Sequence, residues 1–172
     1  PDEAIELYRK SIAIAPNIAQ FHTNLASLLA TLTRLDEAED ELRAAIRIGD
    51  HTDPHLIPWT RYTLGCVLDQ MGRGDEARAE LRTALAEVDA IVRDHPKVTE
   101  WRRQQAYTLI TLSECTPSAD LPEAIALGER AVTTVQELLK QTNESLSDKQ
   151  LLDIAEKSLV NFRQRAVGKV KP

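Results

Sequence analysis

The chain has 172 residues, 21 Lys and Arg against 27 Asp and Glu, 42% apolar side chains and 4% aromatic ones, the material of one domain. A formal charge of −6 excludes a generic binder of phosphate backbones, whose affinity comes from a cationic surface. No apolar run approaches the roughly 20 residues that cross a bilayer, so neither nucleic acid nor membrane is expected as a partner.

Gly is scarce and β-branched alternation is absent, which predicts helix nearly throughout and an all-α fold. The tripeptide Asp-Glu-Ala occurs at residues 2–4, 36–38 and 75–77, with Pro122, Glu123 and Ala124 as a fourth variant, so the recurrences lie 34, 39 and 47 residues apart. A period near 34 with small insertions marks a repeat. Each recurrence opens a helix whose small or apolar residues fall at i, i+4 and i+7: Ala4, Tyr8 and Ser11; Ala38, Leu42 and Ala45; Ala77, Leu81 and Ala84; Ala124, Gly128 and Ala131. That spacing puts them on one helical face.

A partner helix precedes each later one. Residues 21–32 carry Leu25, Ala26 and Leu29, and residues 59–71 carry Leu64, Gly65 and Leu68 in the same pattern. Residues 49–58 read as a loop rich in Asp, His and Pro, with Pro58 suited to a first helical turn. The helix from Asp75 is long and ends at Asp94, His95 and Pro96. Residues 99–114 place Ala106 and Leu109 at the small and closing positions, but Gln105 stands where Leu is expected. Asp120 with Glu123, and Ser147 with Gln150, read as capping boxes. The last helix carries Leu152, Ala155, Leu159, Phe162 and Ala166 as one apolar stripe.

These residues resemble the tetratricopeptide repeat, whose signature runs W-x2-L-G-x2-Y, then A-x3-F, then P. One unit reads His22, Leu25, Ala26, Leu29, Ala38, Leu42, Ala45, and the next Arg61, Leu64, Gly65, Leu68, Ala77, Leu81, Ala84, with Pro16 as a closing proline. His22 and Arg61 replace the Trp of the signature, and Asp50 replaces the second proline. The long third hairpin resembles the elongated repeats of kinesin light chains. The resemblance implies a right-handed α-α superhelix, a tetratricopeptide solenoid with a C-terminal capping helix. Its parts are a half repeat (1–16), a repeat (19–50), an elongated repeat (58–95), an irregular repeat (99–139) and the cap (147–168), all in one domain.

The resemblance further implies protein or peptide binding in a concave groove lined by the first helices. The corresponding positions are Gln20, Thr23, Asn24, Ser27 and Thr31; Trp59, Tyr62, Thr63, Cys66 and Gln70; and Glu100, Arg103, Gln104 and Tyr107. Trp59 and Tyr62 serve either as binding anchors or as packing between hairpins; the sequence leaves both open. Asn24 stands where members that bind chaperone tails use asparagine, yet the flanking Lys and Arg of their carboxylate clamp are absent. Two other roles remain: a regulatory or scaffolding tail of a multidomain bacterial protein, such as a serine/threonine kinase, and a self-assembly module using the exposed half repeat.

No motif of an enzyme, cofactor site or metal centre is present. His51 and His55 stand four apart, but Pro54 between them opposes the helical geometry that would converge two histidines on a metal. Cys66 and Cys115 form neither a metal nor a redox pair. Acids crowd residues 36–41 at a helix start and bases residues 157–171 at a helix end, each favourable to the helix dipole. Asn143, Glu144 and Ser145 form a glycosylation acceptor, relevant to a secreted chain. Pro1 in place of Met reads as a piece of a longer polypeptide, expected in the cytoplasm.

Overall fold

The computed structural model describes residues 2–49, 53–143 and 145–168. Eight α-helices follow one another among them: α1 (Asp2–Ile14), α2 (Ala19–Thr31), α3 (Leu35–Ile48), α4 (Leu56–Gln70), α5 (Gly74–Asp94), α6 (Thr99–Cys115), α7 (Leu121–Gln141) and α8 (Leu146–Gly168), with a short 3-10 turn at Ser118–Asp120. No strand occurs among the described residues. Two compact units divide at Ala84 and Leu85, inside α5.

In the first unit α2 packs on α3, α3 on α4, and α1 on α2. Leu25, Ala26, Leu29, Ala38, Leu42, Leu64, Leu68 and Ala77, on the repeated faces read from the sequence, form one core; α1 adds Ile5 to it, whereas Ala4, Tyr8 and Ser11 of its expected face are half-buried. Burying such side chains contributes roughly 1.5–3 kcal/mol for each large one. The α2–α3 and α4–α5 turns are built alike. Thr33 (φ 56°) and Gly72 (φ 77°) adopt left-handed backbone. Arg34 N–H then donates to Leu29 O at 3.0 Å, and Arg73 N–H to Leu68 O at 2.9 Å, satisfying helix-end carbonyls in the Schellman manner. Pro58 lies in the first turn of α4, where its missing N–H costs nothing.

In the second unit α6 packs on α7 and α7 on α8. Ala106 and Leu109 are fully buried, as the repeat requires. Gln105 is buried too, and its Nε2 donates to Asp89 Oδ1 at 2.7 Å, an oxygen that also receives Arg130 Nη2 at 2.6 Å. An amide thus occupies a leucine position because an acceptor meets it.

The helix starts differ from both expected capping boxes. Asp120 makes no side-chain cap bond; Pro122, in the first turn of α7, needs no N–H acceptor. The α8 cap is Ser145, two residues earlier than Ser147. Asp148 N–H donates to Ser145 Oγ at 3.3 Å, and Ser145 Oγ donates to Asp148 Oδ2 at 2.9 Å. On α8, Leu151, Ala155, Leu159 and Phe162 are buried, while Leu152 is half-buried. Leu151 therefore leads the stripe, because it lies three residues after buried Asp148 on the same face.

Candidate binding face

On α2, Gln20, Asn24, Ser27 and Thr31 are spaced by four, three and four residues, one face of a helix. Gln20 Nε2 donates to Asn24 Oδ1 at 2.7 Å, which holds two amides side by side. Ser27 Oγ donates to Thr23 O at 3.0 Å. Thr23 itself is buried. Its hydroxyl lies 2.9 Å from that of Thr60, which is also buried, so Thr23 joins α2 to α4 and does not lie on the open face. Packing of adjacent first helices, which the sequence could not register, is the physical reason.

On α4, Trp59, Tyr62, Thr63 and Cys66 are half-buried and Gln70 is exposed. His55 stacks on Trp59 (ring centroids 6.5 Å, planes 13° apart), and Trp59 meets Tyr62 at 5.2 Å, giving an aromatic row at i, i+4 and i+7. Thr63 Oγ1 donates to Trp59 O at 2.9 Å. Burial pushes the Cys66 thiol up, more than the hydrogen bond with Tyr62 lowers it. A thiol so held is a poor nucleophile. None of Gln20, Asn24, Ser27, Thr31, Trp59, Tyr62, Thr63, Cys66 and Gln70 is a charged residue.

The second unit, taken by itself, places its candidates differently. Arg103 Nε donates to Asp148 Oδ1 at 2.7 Å and Arg103 Nη1 to Glu100 Oε2 at 2.7 Å, so it fastens α6 to α8. Burial would raise the Asp148 carboxyl, but bonds from Arg103, Thr142 and Ser145 hold it below its ordinary value. Gln104 is buried without a hydrogen-bond partner for its amide. Tyr107 is 40% exposed.

One recurrent feature was missed in the sequence. The residue at the signature Trp position is a base paired to a glutamate of the following helix. His22 Nδ1 lies 2.6 Å from Glu41 Oε2, Arg61 Nη1 donates to Glu80 Oε2 at 2.9 Å, and Arg102 Nη1 to Glu137 Oε2 at 2.6 Å. The signal was present: 19 residues separate both His22 from Glu41 and Arg61 from Glu80.

The acidic run at residues 36–41 is largely tied up in pairs: Glu37 with Arg34 and Arg9, Glu39 with Arg43 and Arg73, Glu41 with His22. In the basic segment, Lys157 pairs with Asp153 and Arg163 with Glu129; Lys169 and Lys171 lie outside the described residues, as do Asp50, His51 and Glu144. Among the described residues no group of three or more His, Cys, Asp or Glu is placed to hold a metal ion, and no helix is long and apolar enough to cross a membrane.

Residues 1–51 match the family model of the tetratricopeptide repeat. Among solved structures the chain is similar to a crystal structure of MamA, with 17% identity and a TM-score of 0.51, covering 99% of this chain and 91% of that one. It is also similar to the crystal structure of YrrB, titled a TPR protein with an unusual peptide-binding site, with 18% identity and a TM-score of 0.50, covering 98% of this chain and 82% of that one. A comparison with curated proteins finds no match.

Proposed function

We propose that this chain, a tetratricopeptide-repeat protein, binds an extended peptide or protein segment on the open face of α2 and α4, with association and no bond chemistry as its role. The observation that carries the reading is an uncharged amide and hydroxyl stripe on α2, Gln20, Asn24 and Ser27, and an aromatic row on α4, Trp59 and Tyr62, on two helices joined through Thr23 and Thr60. Amides match the donors and acceptors of a peptide backbone, while aromatic faces take apolar side chains with little entropic cost. Rigid helices prearrange both, which lowers the cost of binding. A fold neighbour described as having a peptide-binding site supports the reading. Because the face carries no cation, an acidic chaperone tail is not the proposed ligand.

The test is a displayed library of random peptides panned on the 172-residue chain, with the selected peptides titrated at 50 and 500 mM salt. Neutral peptides, an affinity changing less than about threefold with salt, and loss of binding in Asn24→Ala and in Trp59→Ala with Tyr62→Ala at retained helicity are expected. Selection of acidic peptides, or binding unchanged in Asn24→Ala and the double variant, overturns it. If the double variant unfolds, Asn24→Ala alone decides.

A further inference from the structure

The turns that open α2 and α6 are built alike. Each contains a proline, Pro16 or Pro96, and neither Ile18 nor Val98, the residue before the helix, makes a side-chain cap bond. In each, a base in the first turns of the helix reaches back six residues to the proline carbonyl and across to a glutamate of the next helix. Arg102 Nη1 donates to Glu137 Oε2 at 2.6 Å and Nη2 to Pro96 O at 3.2 Å. His22 Nδ1 lies 2.6 Å from Glu41 Oε2, and His22 Nε2 lies 3.1 Å from Pro16 O.

A guanidinium has only N–H donors, so both Arg102 bonds are donated. A neutral imidazole has one N–H and one lone pair, and at His22 that lone pair would face an oxygen whichever tautomer formed. The residue is 8% exposed, which leaves water little room to intervene. Both contacts become hydrogen bonds when both ring nitrogens carry hydrogen. Of the elements packed on α2, α3 faces the ring with Glu41, whereas the α1 base Arg9 is turned to Glu37 and Glu6, and the α4 base Arg61 to Glu80.

We propose that His22 is an imidazolium latch: protonated, it fastens the turn between α1 and α2 to Glu41 of α3, and loss of one proton as pH rises opens it. The carboxylate keeps the Nδ1 hydrogen in a charge-assisted bond, so Nε2 gives its proton to solvent and then turns a lone pair on Pro16 O. Residues 16–18 are released, while α1 stays docked through Ile5 in the core. The turn at Pro96 is held by an arginine, which keeps its charge, and does not respond.

Nitrogen-15 spectra of the imidazole rings in the whole chain test this, with the His22 signals identified by their absence from His22→Arg. At pH 7.5 an exposed histidine is about nine-tenths neutral, yet both His22 nitrogens should carry hydrogen. In Glu41→Gln the ring should be neutral at the same pH. Raising the pH of the unaltered chain should deprotonate Nε2 and leave Nδ1, and the amide signals of Asn17 and Ile18 should move along the same titration curve. In His22→Arg those two amides should stay level over that range, with an unchanged helical circular dichroism spectrum. A neutral His22 ring at pH 7.5, a ring still charged in Glu41→Gln, or a ring titration that leaves Asn17 and Ile18 unmoved overturns the proposal, as does the same amide movement in His22→Arg. If His22→Arg fails to fold, the ring and amide signals of the unaltered chain, assigned through its backbone, decide alone.

Discussion

Arg73, two residues before Asp75 in the α4–α5 turn, donates from Nη1 to Glu39 Oε2 of α3 at 2.5 Å. Arg73 also holds Glu76 through Nη2 at 2.6 Å. Glu39 accepts from Arg43 Nε at 2.8 Å, and Arg43 Nη2 lies 3.7 Å from Glu76. Four alternating charges close into a ring that ties α3 to the first turn of α5. A network of this kind outweighs isolated surface pairs, most of which contribute little.

The ring predicts an acid limb to stability. Burial alone would raise the Glu39 carboxyl, but the bonds from Arg43 and Arg73 outweigh it and hold the carboxyl below its ordinary 4.5. Glu76 is lowered chiefly by Arg73, and Glu37 chiefly by Arg34. Groups lowered on folding bind fewer protons than in the unfolded chain, so their contribution is complete above about 4.5 and is lost as pH falls through the folded values. Urea midpoints should stay level from pH 7 to about 5 and then fall. Glu39→Gln should cost about 1 kcal/mol at pH 7 and flatten the limb. An equally steep limb in that variant would remove Glu39 as its cause.

Gly65 predicts a second outcome. An added Cβ there would lie 2.6 Å from Leu81 Cγ and 3.3 Å from Ala77 O. Ala in place of Gly favours a helix by about 1 kcal/mol, whereas overpacking a filled core costs about 1–3 kcal/mol. Gly65→Ala should therefore destabilise by about 1–2 kcal/mol, and Leu81→Val added to it should recover part of the loss. Denaturant unfolding of the two variants checks both. A more stable Gly65→Ala would mean that Leu81 moves aside freely.

Much of the fold was legible because the repeat needs small and apolar residues at fixed positions. Ala38, Leu42, Ala77 and Leu81 are fully buried, as their i, i+4 recurrence required. The proposed binding face was legible only in part. The resemblance to the tetratricopeptide repeat gave Gln20, Asn24 and Ser27 the same rank as Thr23 and Arg103. Thr23 is lost to its contact with Thr60 and Arg103 to its bond with Asp148. Both partners lie on other helices, at distances in sequence where no local pattern operates. The α8 cap was misplaced for a smaller reason: Ser145 and Ser147 both have a polar residue three positions on.

Thr33 predicts a gain in stability. A β-branched residue in left-handed backbone is strained by about 1–2 kcal/mol, and the equivalent turn uses Gly72. Thr33→Gly removes that strain and the Thr33 Oγ1 bond to Leu32 O, at the cost of a looser unfolded chain, about 0.5–1 kcal/mol. The net should be about 0.5 kcal/mol in favour of the variant. Gly72→Thr should lose about 1 kcal/mol or more. Opposite signs at the two turns are the expected result, and a destabilised Thr33→Gly would count against turn strain at Thr33.

Gln105 and Asp89 predict a coupling. Asp89→Ala removes the acceptor of a buried amide, which costs about 1–3 kcal/mol when the amide finds no other partner. Gln105→Leu puts a side chain of similar volume, and of the type the repeat favours, in the same place. Asp89 keeps Arg130 in that variant, so Gln105→Leu alone should change stability by less than about 1 kcal/mol. With Leu at position 105, Asp89→Ala no longer strands an amide and should cost only its pairing with Arg130, about 0.5 kcal/mol. A double-mutant cycle on urea unfolding should therefore return a coupling of about 1 kcal/mol or more. Additive single effects would show that solvent already satisfies Gln105, and that the amide holds its position through volume alone.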